Sequence, residues 1–237
     1  MKNSATIFNE NFLMLSNLFK SAENLKINRI ILLCNSCVYS PQIKRKYKES
    51  DLFKGEPDAS SLATGFSKLG FIVGARVNSL ENNYKTTNII LPNLYGPHDN
   101  FKNENSHFIA SIIKKIFNAK KAGKKILTLW GSGNEVRDTL YVTDVAKAIE
   151  KILFTKKKVE VLNVSNSREM KIKQYVNYVQ KIFRSKIKIK WSEKYSGASK
   201  KVLDNKKLIK TINWLPEEGI ESGLKKTIDW YLKNRSF

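Results

Sequence analysis

Histidine and cysteine are the scarce residues of this 237-residue chain, with two of each. Cys34 and Cys37 lie too close together to staple anything long, so no disulfide framework is implied. No zinc-ligand spacing occurs, and no metal site is expected. Long apolar runs are missing too: none approaches the ~18 residues of a membrane span. The first thirty residues carry Lys2, Glu10, Lys20 and Glu23 and do not compose a secretory signal, so a cytoplasmic protein without a membrane partner is expected. Acidic residues are also few, 21 against 43 lysines and arginines, which leaves a formal charge of +22.

That excess is spread through every segment, in Lys114-Lys115, Lys120-Lys121, Lys124-Lys125, Lys156 to Lys158 and Lys206-Lys207, among many Asn and Ile residues. Such scatter is the pattern of a compositional bias. A polyanion partner is the minor alternative, because a field of this sign draws nucleic acid or anionic lipid without specificity. No aromatic RNA-binding signature or basic heptad supports a nucleic-acid role.

What is present is enough apolar material for a full core, 41% hydrophobic and 11% aromatic, as one large domain or two small ones. Phe8, Phe12, Leu15 and Phe19 recur at helical spacing, with Met14 and Leu18 on a second apolar face, so residues 7–24 read as a helix that needs two partners. Arg29 to Cys34 is a continuous apolar run suited to a buried parallel strand. Residues 35–57 read as a loop and 59–80 as a second helix. Strands are expected at 86–91, 125–130, 160–164 and 187–191. Helices are expected at 106–119, 144–154 (with Thr143 as cap), 171–183, 204–210 and 219–234. This alternation predicts an α/β class with a mostly parallel sheet.

The segment Asn93 to Phe101 reads NLYGPHDNF and is followed by Asn105-Ser106-His107. Downstream come Trp130-Gly131-Ser132-Gly133, Arg137, and Tyr141-Val142-Thr143-Asp144. With these motifs the chain resembles the GDP-L-fucose synthases, extended short-chain dehydrogenases of the NAD-dependent epimerase/dehydratase group. The resemblance runs from Ala5-Thr6 to Trp230-Tyr231-Leu232-Lys233-Asn234. It implies a doubly wound, Rossmann-like parallel sheet from residues 1–98 and 141–166, and a small α/β nucleotide-sugar domain from 99–140 and 167–237. It also implies conversion of a GDP-4-keto-6-deoxy sugar to GDP-L-fucose by 3,5-epimerisation and NADP(H)-dependent 4-reduction.

Against that pattern, only 28 residues precede Arg29, and a helix takes most of them. A βαβ unit needs roughly 30 residues, so the first strands and the glycine-rich cofactor loop are expected to be missing, and a separate chain could supply them. The family's strand-end serine falls at Asn35, whose amide can still donate to a carbonyl. With Lys68 in register as the lysine that also meets the cofactor, the family's catalytic tyrosine position holds Thr64. A threonine hydroxyl is too short and too weak an acid for that role, so reduction is expected to be impaired.

The resemblance places Cys37 and His107 as the epimerase acid/base pair, thiol and imidazole being groups whose pKa can be brought near neutrality. It places Asn93 at the sugar or diphosphate, Lys115, Arg137 and Lys201 at phosphates, and Trp130 at the guanine. Tyr195-Ser196-Gly197 keeps only the glycine of the family's Pro-Asp-Gly. A homodimer through helices 7–24 and 59–80 is also implied. The remaining alternatives are an inactive nucleotide-sugar-binding remnant, one half of a split enzyme, and a Cys34/Cys37 thiol redox pair.

Overall fold

A computed structural model describes residues 4–82, 84–102, 106–192 and 198–234. Asn105 and the Tyr195-Ser196-Gly197 segment lie outside the described residues. In chain order the elements begin α1 (Ser4–Asn24), β1 (Arg29–Asn35), α2 (Leu62–Asn82), β2 (Lys85–Leu91), β3 (Asn93–Tyr95), α3 (Phe108–Lys121) and β4 (Ile126–Trp130). There follow β5 (Val136–Arg137), β6 (Thr139–Tyr141), α4 (Val142–Phe154), β7 (Val161–Asn163), β8 (Met170–Lys171) and α5 (Ile172–Ile182). The last are β9 (Lys188–Ser192), β10 (Lys200–Lys201), α6 (Lys206–Ile212) and α7 (Ile220–Asn234).

The principal sheet is parallel in the order β1-β2-β7, with Arg29 opposite Lys85 and Asn88 opposite Val161. Side chains on a strand alternate between faces, and the two faces sort the apolar residues. Ile30, Leu32, Cys34, Ile90 and Val161 pack under Leu15 and Phe19 of α1 and Leu69, Ile72 and Ala75 of α2. Ile89, Leu91 and Leu162 turn the other way, onto Val145, Ala148 and Ile152 of α4 and Leu208 of α6. Burial on both faces is what a parallel sheet requires.

A third core gathers Ile109, Ile113 and Ile116 of α3 with Val176 and Val179 of α5 and Leu224 and Ile228 of α7. Over it lie the parallel pair β4·β9, the triplet β10-β5-β8 and the parallel pair β3·β6. The α/β class with parallel sheets is therefore what the chain adopts.

Two expectations need correction. Thr143 does not cap α4: the helix begins at Val142, Tyr141 holds the cap position, and no side-chain capping bond forms there. The third helix starts at Phe108, two residues later than its apolar pattern suggested, with His107 at the cap position. The loop over 35–57 is fastened more firmly than its composition implied. Tyr47 N–H donates to Val202 O at 2.8 Å and Asp204 N–H donates to Tyr47 O at 2.8 Å. Tyr39 Oη donates to Asn163 Oδ1 at 2.7 Å, and Asn163 Nδ2 donates to Tyr47 O at 2.9 Å.

Candidate functional site

The carboxy-terminal ends of β1, β2 and β4 open onto a cavity of about 870 Å³. Six residues singled out from the sequence line it: Cys37, Asn93, Lys115, Trp130, Arg137 and Lys201. Cys37 comes from the short turn Ser36–Val38 behind β1. Asn35 starts that turn, and its Oδ1 accepts from Cys37 N–H at 3.1 Å. That bond fixes the amide's orientation and leaves Nδ2 as its remaining donor.

Arg137 and Lys201 are register partners in the β5·β10 pair, so both cations stand on one wall. Like charges side by side repel unless something anionic lies nearby. Lys201 Nζ has Asp58 Oδ2 at 3.8 Å. Burial would raise the Asp58 carboxyl, but hydrogen bonds from Ser60, the Lys201 charge and the Ala198 N–H together hold it below its ordinary pKa. Arg137 is buried, its Nη1 donating to Val136 O at 2.9 Å, while its carbonyl accepts from Tyr175 Oη at 3.1 Å.

At the outer rim Trp130 is 69% exposed, and Lys115 Nζ lies 4.8 Å from its ring centroid. A cation held over an indole face in the open is worth ~0.5–1 kcal/mol. So exposed, the ring is not a core residue.

Four other predicted residues are not in the cavity wall. His107 sits beside it, between the lining residues Ser106 and Phe108, with its Nδ1 3.2 Å from Asp99 Oδ1. That hydrogen bond raises the imidazole pKa above its usual value, burial opposing and the Asp99 charge reinforcing it. Asn35 acts through the turn just described. Thr64 accepts, through its carbonyl, a bond from Ser67 Oγ at 3.2 Å. Lys68 directs its ammonium over the Phe71 ring at 3.8 Å, and burial lowers its pKa.

Cys34 argues against a redox pair. Its thiol is buried, donates weakly to Lys68 O at 3.7 Å, and is pushed up to about 12 by burial, with Lys68 opposing. A thiol so protonated is a poor nucleophile.

Trp191, Asn118, Ser111 and Glu135 also line the cavity, and sequence reasoning did not find them. Gly133 carried the available signal for Trp191. It sits at φ +76° with space for a Cβ already taken by the Trp191 ring, 2.5 Å away, so only glycine permits that indole to close against the loop. Glu135 folds back to accept from Ser132 N–H at 2.8 Å and Ser132 Oγ at 3.0 Å.

A model of the NAD dependent epimerase/dehydratase family matches residues 1–165. The chain belongs to this family. GDP-L-fucose synthase 1 of Arabidopsis thaliana is 28% identical over 220 residues, which is 92% of this chain and 68% of that protein. GDP-L-colitose synthase of Yersinia pseudotuberculosis is 29% identical over 234 residues, 96% of this chain and 74% of that protein. Among solved structures, a GDP-L-fucose synthetase of Naegleria fowleri bound to NADP superposes with a TM-score of 0.90 at 24% identity, covering 99% of this chain and 73% of that one.

NADP(H) is the cofactor of this epimerase/dehydratase branch. Its hydride chemistry needs a pyrophosphate cradle and a phenolic acid. Among the described residues no glycine-rich turn carries a strand straight into a helix, and the residue four before Lys68 is Thr64, not a tyrosine. Lys68 is turned to Phe71. These residues do not fit the cofactor, and no hydride step follows from them.

Proposed function

We propose that the cavity binds a nucleoside-diphosphate sugar of the GDP-4-keto-6-deoxy class and supports epimerisation beside its keto group, with 4-reduction impaired in this chain. One observation carries the proposal: Arg137 and Lys201, paired in register, share a cavity wall with Cys37, Asn93 and the Lys115–Trp130 platform. An arginine fork and an ammonium side by side suit a diphosphate, and an open indole suits a purine.

The sugar then points toward Cys37 and His107. Epimerisation there moves protons only: one group removes the proton from the carbon beside the carbonyl, leaving an enolate, and the other returns a proton to the opposite face. His107, biased toward imidazolium by Asp99, is the proton donor in this reading. The Nδ2 of Asn35 is the donor left for the enolate oxygen. Within the same reading, residues 1–98 and 141–166 form the dinucleotide-side domain and 99–140 and 167–237 the sugar-side domain, α6 crossing back to place Leu208 under the sheet.

Calorimetric titration with GDP tests the binding half. Arg137→Ala should weaken binding by roughly tenfold or more, the value of a charge-assisted hydrogen bond, and absence of GDP binding in the parent chain would remove the proposal. Proton exchange at C3 and C5 in deuterated water tests the chemistry. Slow exchange abolished by Cys37→Ala supports it, whereas binding with no exchange leaves an inactive nucleotide-sugar-binding remnant.

Two partner readings have specific support. Among the described residues β1 pairs only with β2, and Leu33 in its middle is 48% exposed. An open parallel edge with an uncovered apolar side chain favours a further strand docking there, the place for a cofactor-binding half. Second, α1 and α2 expose Leu13, Met14, Leu18, Val73 and Val77, a surface that suits a homodimer of helix pairs.

A further inference from the structure

A second cavity, of about 260 Å³, lies at the opposite end of the principal sheet. Arg29 and Lys85 open β1 and β2, whereas Cys37 and Asn93 follow their far ends. Seven-residue strands put the two sites roughly 20 Å apart.

The cavity wall is short of acceptors and rich in donors. Tyr84 is only 6% exposed, and its hydroxyl has no hydrogen-bond partner. Arg29 gives Nη2 to the carbonyl of Ile152, but its buried Nε has no partner. The neighbouring threonines are already used, Thr87 Oγ1 donating to Val159 O at 2.8 Å and Thr86 Oγ1 to Ala75 O at 3.4 Å. Around these groups stand Arg76, Lys85, Lys156 and Lys158, faced by a single lining carboxylate, Glu160, whose Oε1 is taken by Arg76 Nε at 2.5 Å. Glu23, which does not line the cavity, adds a negative charge near Tyr84. Two buried donors left unmade are costly, and their surroundings are cationic. An occupant that accepts hydrogen bonds and carries negative charge satisfies both conditions, and the volume lies below the usual range for larger organic ligands.

We propose that this cavity, built on Arg29 and Tyr84 at the amino-terminal edge of the sheet, is a binding site for a small multiply charged oxyanion of the phosphate class. It is separate from the nucleotide-sugar cleft.

The test is calorimetric titration of the full chain with pyrophosphate at physiological salt, in an Arg137→Ala background so that the cleft's own phosphate wall does not contribute. A single saturable site is expected. Tyr84→Phe, which removes one oxygen and leaves the ring packing intact, should weaken it about tenfold, and Arg29→Gln at least as much, as befits hydrogen bonds to a charged group. The circular-dichroism spectra of both variants should match the parent. Equal affinity in Tyr84→Phe, or no saturable binding at all, overturns the proposal. Tighter binding of single-stranded RNA than of pyrophosphate, unchanged by Tyr84→Phe, would also overturn it and point to diffuse charge.

Discussion

His107 and Asp138 show how one hydrogen bond and one burial bend a side chain in opposite directions of use. His107 is 63% exposed, yet Asp99 holds its imidazole toward the charged form. The pair therefore stabilises the fold where the ring is protonated, and its contribution fades as pH rises through the raised pKa. Asp99→Asn should bring the His107 pKa down toward its ordinary value. Proton NMR reads this directly, because His98 is the only other imidazole, and an unmoved titration in the variant would refute it.

Asp138 is fully buried and its pKa is raised to about 7 by burial, despite bonds from Ser165 Oγ and Leu203 N–H. For a carboxyl the raised value means that the native state holds its proton longer than the unfolded chain, so stability falls as pH climbs from ~4 to about 7. Asp138→Asn should come close to the parent near pH 4 and melt several degrees higher near pH 8, on a scale of about 2–4 °C per kcal/mol. Parallel melting curves at both pH values would show that burial does not perturb this group.

Elements were legible in proportion to their length. Strand β1 announced itself as a continuous apolar run and α1 by its period, since an apolar face repeated several times cannot easily be mistaken. Strands β3, β5, β6, β8 and β10 hold two or three residues each. Nothing that short carries a period, and tertiary pairing alone makes them strands. Yet β5 and β10 bring Arg137 and Lys201 into register, so the part of the site least readable as secondary structure was found only through residue types and motif.

The pairing of α1 with α2 had a signal that spacing alone does not give. A Cβ on Gly70 would stand 2.6 Å from the Phe12 ring and one on Gly74 3.0 Å from Leu15 Cδ2, so these two glycines let the helices close on each other. What that close approach leaves outward is the remaining apolar face. Leu18→Glu, at an exposed position outside the buried α1–α2 cluster, should shift a dimer to monomers on sizing chromatography. An unchanged elution volume would discard this helix face as an interface.

At the scale of the whole molecule, two cores cover the faces of the principal sheet and a third lies under the smaller strand groups, and the loop over residues 35–57 joins parts that are far apart in sequence. It was readable as a loop from its lysines, Pro41 and Gly55, but its anchorage was not, because Tyr47 looks like any aromatic until its partners are known. The main chain of Tyr47 is bridged to the strand-like run just beyond Lys201, and its hydroxyl donates to Lys200 O at 2.9 Å. The segment behind Cys37 and the segment bearing Lys201 are thereby stitched into one unit. Such a unit opens and closes together. In amide hydrogen exchange, Tyr47 and Asp204 should share a single protection factor. A ligand gripping Arg137 and Lys201 should slow both by the same ratio, so that the loop behind Cys37 registers an event at Lys201 without itself touching that ligand.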